Sequence, residues 1–450
     1  MTPASNRRSS FAIYFSVALL ALSFSSACST APTSPEIGRG PDNLLMYRPA
    51  SQNSAEQINK PYVILVSIDG YRHDYNKLFS PPHLTRLANE GVAAESLRPV
   101  YPSKTFPNHY TLVTGLTADR HGIVSNEFYD PARDAVYSLP DRKAVEDGKW
   151  YFGEPIWITA QKQGLLSASY FWVGSEANIQ GMHPNYFYRY DDKVANSARV
   201  DQVLKWLKLP AERRPHFITL YFDDVDTAGH QFGVNSDQTR KAVLAIDEQI
   251  GRLREGIAAS GLPVNLVVVS DHGMQDLEAK KTIVLDETPE AARLLAKFKS
   301  VGRGPQMLLY LNKGEDPTLI AEAEKILNAL ATKAGKTFRV HRRDQMGPFR
   351  YTATPRTGDL IVEPDAPYSV GLKARMPSTA GANHGWDPVR YRAMHGIFYA
   401  HGPAFRENAK LPTMENVNVY PLLLAVLGLQ QLAPIDGQLE PIKGALRPAR

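Results

Sequence analysis

Three stretches of the chain are apolar almost without interruption: residues 61–68, 216–222 and 264–270. Each is rich in β-branched and aromatic residues and lacks polar alternation, the pattern of a strand covered on both faces. Between them, apolar residues recur at helical spacing from His83 to Glu90, Ala195 to Leu207 and Asp237 to Ile257. Such alternation predicts an α/β fold whose mostly parallel central sheet is flanked by helices. Farther on, the strand pattern 306–311, the helical pattern 317–334 and the β-prone run 359–362 read as a small α/β insertion at about 275–380. Residues 414–429 read as a closing helix.

The first 60 residues follow different rules. Arg7 and Arg8 precede an apolar run from Phe11 to Phe24, then small residues and Cys28. That order predicts a secretory signal over 1–28, with a run shorter than the roughly 18–20 residues a membrane span needs. Cys28 is the only cysteine in the chain, so no internal disulfide is expected. Its position suits lipid anchoring after cleavage, and the expected location is exported and periplasmic. Residues 29–59, rich in Pro, Ser, Asn and Gly, read as a tether, and the catalytic domain as 60–450. The net charge of +5 falls to +3 without Arg7 and Arg8. With no dense Lys/Arg run, specific nucleic-acid binding is not expected, and small-molecule partners are.

The chemistry sits where the strands end. The first delivers Asp69-Gly70, the second Asp223, Asp224, Asp226 and then His230, the third Asp271-His272-Gly273. Open α/β sheets hold ligands at the carboxyl ends of their strands. So many carboxylates gathered together resist burial unless cations join them, and mixed His/Asp shells suit zinc. Singly, each piece has a plainer reading: an Asp-Gly turn, a surface pair at i and i+4, a hydrogen-bonded loop histidine at His384. In the segment 101–115, Pro107 suits the first turn of a helix. Thr105 then lies at the helix N-terminus, where free N–H groups favour phosphate oxygens. An ordinary N-cap is the plainer alternative.

Taken together, Ser-Ile-Asp69-Gly, Tyr-Pro-Ser-Lys-Thr105-Phe-Pro-Asn-His, Gly122-Ile-Val-Ser-Asn126, Asp226-x-x-x-His230, Ser-Asp271-His272-Gly-Met and Asn-His384-Gly-Trp resemble the nucleotide pyrophosphatase/phosphodiesterase family, bacterial members above all, within the alkaline phosphatase superfamily. The resemblance implies an alkaline-phosphatase-like core and two zinc ions per chain. One ion would be held by Asp226, His230 and His384. The other would be held by Asp69, Asp271, His272 and the deprotonated Thr105. It implies attack by Thr105, a phosphothreonine intermediate, and release of nucleoside 5′-monophosphates from nucleotide phosphodiesters or pyrophosphates. Asn126 and the Thr105 N–H would grip a phosphoryl oxygen. Phe106 follows the nucleophile, where superfamily monoesterases carry arginine, and Asn126 is neutral. Both favour a singly charged diester, and the sulfatase pattern is absent. Base stacking would fall to Phe106 and to a tyrosine among Tyr186, Tyr188 and Tyr190, with Tyr188 preferred; Trp172 and Lys104 complete the expected pocket. The alternative is hydrolysis of phosphocholine or glycerophosphodiester lipids by the same metals.

Overall fold

The computed structural model describes residues 37–39, 44–47, 52–278, 280–335 and 337–448. The signal segment with Arg7 and Arg8, and the anchor expected at Cys28, lie outside the described residues. Among those residues, no helix is long and apolar enough to cross a membrane.

The first apolar run forms β1 (Tyr62–Ile68), buried at all seven positions. Its neighbours are β2 (Ser167–Tyr170), β3 (Phe217–Phe222), β4 (Val264–Val269) and β5 (Phe398–His401). The spatial order is β2-β3-β1-β4-β5, parallel through β4, with β5 antiparallel beside it. Alternate residues point to opposite sides, so the sheet carries two cores. Val63, Leu65, Phe217, Val267 and Val269 face one. Ile64, Val66, Ile68, Leu220 and Val268 face the other. This double burial explains the unbroken apolar runs. The predicted helices form over Pro82–Glu90, Asn196–Leu207 and Asp237–Ser260.

The stretch expected to be a tether is partly built into the fold. Leu45–Tyr47 pairs with Tyr186–Phe187 at the sheet's edge. Asn53 is buried, donates to the carbonyls of Ala211 and Arg214, and accepts from the Leu166 N–H. Its amide satisfies backbone groups that burial would otherwise orphan, a job that composition does not reveal.

Within the expected insertion, the strands Phe298–Gly302, Met307–Leu311, Phe338–Arg342 and Leu360–Pro364 form a separate sheet. Every pair in it is antiparallel, unlike the main sheet. Leu309, Leu360 and Val362 pack with Ala323 and Leu327 of the helix Thr318–Lys333. Leu308, Tyr310 and Ile361 turn the other way, into the main core. The closing helix is shorter than expected, spanning Val419–Leu427.

Several buried histidines make this fold acid-sensitive. His121 contacts the Pro107 carbonyl through Nε2 and accepts the Ile123 N–H at Nδ1, roles that only the neutral ring fills. Burial pulls His121 down to about 3, and His183 and His395 to about 4. Their folded-state values lie below the unfolded value near 6.5, so the unfolded chain binds more protons. The stability they confer is full above about pH 6.5 and is lost as pH falls toward these folded values. These three groups alone give a slope of about 4 kcal/mol per pH unit near pH 5, and the raised Asp69 and Asp226, which act with the opposite sign, offset part of it. We expect the melting temperature of the metal-free protein to drop steeply between pH 6.5 and 4, and less so in His121→Gln. A flat profile in differential scanning calorimetry would contradict this.

Candidate active site

The parallel registers pair Ile68 with Phe222 and Ser67 with Val269. The strands therefore finish at one level. Asp69 follows β1 directly. Asp226 and His230 lie one turn apart on the helix Asp224–Phe232 that leaves β3. Asp271 and His272 lie just past β4, and His384 follows the short strand Ala382–Asn383. The ligand atoms of Asp226, His230 and His384 all lie within 4.8 Å of one another, as do those of Asp69, Asp271 and His272. The structure thus brings the six His and Asp residues of the seven expected ligands together, in the expected two groups.

The ring orientations show what these groups suit. Nδ1 of His230 faces the Ala382 carbonyl at 2.8 Å, Nδ1 of His384 the Ser103 carbonyl at 2.8 Å, and Nδ1 of His272 the Gly273 carbonyl at 2.9 Å. A carbonyl only accepts, so each Nδ1 carries the hydrogen and each Nε2 is turned inward as a donor to a metal. Nε2 of His384 meets Nε2 of His230 at 3.2 Å. Nε2 of His272 meets Asp271 Oδ2 at 3.0 Å, Thr105 Oγ1 at 3.2 Å and Asp69 Oδ1 at 3.3 Å. Asp271 Oδ2 is itself buried without a hydrogen-bond partner. Asp69 Oδ1 and Asp226 Oδ1 are buried with no hydrogen-bond donor. Burial and the neighbouring Asp271 and Asp226 push Asp69 well above the carboxylate range, and burial pushes Asp226 up despite His230 and His272. Burial also holds His384 well below the usual imidazole value, keeping it neutral. Divalent cations fit this donor set: they satisfy the orphaned oxygens and the facing nitrogens together.

Thr105 is the first residue of the helix Thr105–Thr114, preceded by an extended Lys104. At that position its backbone N–H has no acceptor within the helix. Asn126 Oδ1 accepts from the Phe106 N–H at 2.8 Å, which orients the amide and leaves Nδ2 as the available donor. His109 was not singled out in the sequence, yet it ties the site together. Its Nδ1 bonds the Thr105 carbonyl at 2.9 Å and lies 3.3 Å from Asp271 Oδ2; its Nε2 bonds Ser67 Oγ at 2.8 Å. Its place four residues after Thr105, on the same helix face, is the signal that could have found it. Tyr221 was missed as well; its hydroxyl donates to Asp69 Oδ2 at 2.7 Å.

Beside Thr105 opens a cleft of about 250 Å³, lined by Phe106, Trp172, Glu176, Tyr190 and Tyr221 among others. Phe106 and Trp172 stand where the sequence reading put them. The tyrosine at the cleft is Tyr190, a correction to Tyr188. Tyr188 stacks on Tyr170 with ring centroids 4.4 Å apart, toward the core around Trp206, and Tyr186 is buried near the same tryptophan. The strand pairing ends at Phe187, and two residues past Tyr188 the Tyr190 ring reaches Phe171. Lys104 is not part of the lining: its side chain lies against Gly385, and burial pulls its ammonium down to about 8 beside Asp226. A cavity of about 570 Å³ near His83, Arg254 and His401 lies by the start of β4, away from these ligands.

The family model described as type I phosphodiesterase / nucleotide pyrophosphatase matches residues 63–387, a span that contains all six residues of the two groups. The chain belongs to this family. Ectonucleotide pyrophosphatase/phosphodiesterase family member 1 of Mus musculus is 34% identical over 388 residues, 83% of this chain and 41% of its own length. The venom phosphodiesterase of Naja atra is 34% identical over 388 residues, 85% of this chain and 46% of its own length. The chain thus spans under half the length of these curated relatives. Among solved structures, murine ectonucleotide pyrophosphatase/phosphodiesterase 5, an inactive threonine-to-alanine variant in complex with AMP, superposes with a TM-score of 0.78 at 29% identity. It covers 86% of this chain and 100% of the other. The alkaline-phosphatase-like α/β fold follows from these likenesses.

Proposed function

We propose that this member of the nucleotide pyrophosphatase/phosphodiesterase family hydrolyses nucleotide phosphodiesters and phosphoanhydrides, releasing nucleoside 5′-monophosphates through a phosphothreonine at Thr105. The observation that carries the reading is Thr105 Oγ1 set against His272 Nε2 at a helix N-terminus, beside the Asp69/Asp271/His272 group and on the edge of an aromatic cleft. The inactive threonine variant and the AMP of the murine relative support it. Two zinc ions, at Asp226/His230/His384 and at Asp69/Asp271/His272, would supply the positive charge that makes Thr105 nucleophilic and steadies the departing oxygen.

Thr105 Oγ1 forms the new P–O bond as the bond to the leaving oxygen breaks; the threonine proton goes to the departing oxygen, and the nucleoside 5′-phosphate stays on Thr105 as a diester. Water then attacks phosphorus, the bond to Thr105 breaks, and the hydroxyl is regenerated. The Thr105 N–H and Asn126 Nδ2 hold a non-bridging oxygen, two neutral donors suited to a singly charged diester. The ring of Phe106 offers one stacking face and Tyr190 a second. The export, periplasmic location and lipid attachment at Cys28 expected from the sequence form part of this proposal.

The cleft also bears on the phospholipid alternative. A quaternary ammonium seeks aromatic faces with net negative charge. Glu176 is the acid here, and Arg142 is paired with it. That pairing removes the attraction for a cation and presents a donor and an acceptor to the edge of a base. We expect Phe106→Ala to raise KM for the p-nitrophenyl ester of thymidine 5′-monophosphate by about 5- to 160-fold, the equivalent of about 1–3 kcal/mol of stacking. Tyr190→Ala should follow it and Tyr188→Ala should not, while bis-p-nitrophenyl phosphate, which has no base, is little affected. Faster cleavage of p-nitrophenyl phosphorylcholine by the parent enzyme would refute the nucleotide assignment.

A further inference from the structure

One side chain joins the loop that carries the nucleophile to the loop that carries the last metal ligand. Ser103 is fully buried, two residues before Thr105. Its Oγ donates to the Trp386 carbonyl at 2.6 Å and accepts from the Gly385 N–H at 3.0 Å. Its own carbonyl takes the Nδ1 hydrogen of His384 at 2.8 Å. Three consecutive residues, 384 to 386, are thus held by a single serine. Gly385 sits at φ +126°, where a side chain is strained, and a Cβ there would fall 2.4 Å from Lys104 Cε. This stretch of loop therefore cannot be steadied by a side chain of its own at 385, and Ser103 serves in its place.

The other group is aimed by different partners. Asp69 is held by Tyr221, His272 by the adjacent Gly273 carbonyl, and Asp271 accepts the Gly70 N–H at 3.3 Å. We infer that the Ser103 hydroxyl is a positioning group that sets the aim of His384, tuning metal affinity at Asp226/His230/His384 while leaving Asp69/Asp271/His272 unchanged. The inference rests on the two-metal reading above. It also means that the nucleophile and one metal share a single anchor, so the distance between them is kept by the serine. Removing the hydroxyl leaves the Gly385 N–H and the Trp386 carbonyl buried without their partner.

The test compares full-length wild type, Ser103→Ala and Ser103→Cys, each loaded with zinc and dialysed against graded chelator. Bound metal is counted by inductively coupled plasma mass spectrometry. Wild type should hold two ions. Ser103→Ala should keep one at wild-type affinity and bind the other about 10- to 100-fold more weakly, the usual effect of losing support behind a ligand. Its turnover should recover in excess zinc. Ser103→Cys, a conservative change for use should the alanine variant fail to fold, should shift the same ion by less. Equal weakening of both ions, or none, overturns the inference while the two-metal reading stands. A wild type that does not hold two ions overturns both.

Discussion

Replacing Thr105 with alanine should lower turnover of the p-nitrophenyl ester of thymidine 5′-monophosphate by at least about 10⁴-fold, with the fold intact. Removal of a nucleophile elsewhere costs about 10⁶ in turnover, less whatever the remaining site still provides. The helix start, the Asn126 amide and the six His and Asp residues of the two groups all remain in the variant, so binding should largely survive. Two readouts make the result specific. Acid-quenched wild type should carry a thymidylyl group, the 5′-monophosphate in diester linkage, on the peptide containing Thr105, and the variant should not. A variant within tenfold of wild type would mean that water attacks directly, with Thr105 reduced to capping its helix.

The second large effect concerns metal. Asp69 and Asp271 are buried and Asp226 partly so, and a cation among the inward-turned imidazoles would satisfy Asp69 Oδ1, Asp226 Oδ1 and Asp271 Oδ2, none of which has a hydrogen-bond partner. Exhaustive chelation should abolish activity, to below about one part in 10³, since the ions supply several kcal/mol of charge stabilisation. Zinc should restore it. His384→Ala should lose one ion, and Asp271→Asn should lose the other. Chelation should also lower thermal stability, because it returns uncompensated charge to buried sites. Activity that survives full chelation, verified by elemental analysis, would overturn the metal-dependent reading.

Much of this site was legible because its ligands occupy topologically forced positions. A buried parallel strand announces itself as an unbroken apolar run, and the residues just past its end lie at the carboxyl edge of the sheet. That logic located Asp69, Asp226, Asp271 and His272, and the motifs added His384 and Thr105. What escaped depends on contacts that leave no periodic trace. His109, Tyr221 and Ser103 act through single hydrogen bonds across the fold. Tyr190 was confused with Tyr188 because the change of face occurs where a two-residue strand pairing stops, an end that residue spacing does not mark. The edge strand at Leu45–Tyr47 looked like linker because a three-residue strand is too short to show alternation. The antiparallel pairing of 298–364 was hidden because pairing direction depends on the connections, not on the strands.

The three imidazoles that face the metal groups are all steered from behind by main-chain carbonyls, those of Ser103, Ala382 and Gly273. A main-chain carbonyl cannot be mutated away. The tautomer of these rings is therefore inherited with the backbone, and substitution reaches them only by moving the loops that carry them, as at Ser103. The carboxylates differ: Asp69 leans on the hydroxyl of Tyr221, a side chain that one base change can replace. An engineer seeking another metal, or evolution drifting toward one, would find the ring tautomers fixed and two handles left to turn: Tyr221 behind Asp69 and Ser103 behind the loop of His384.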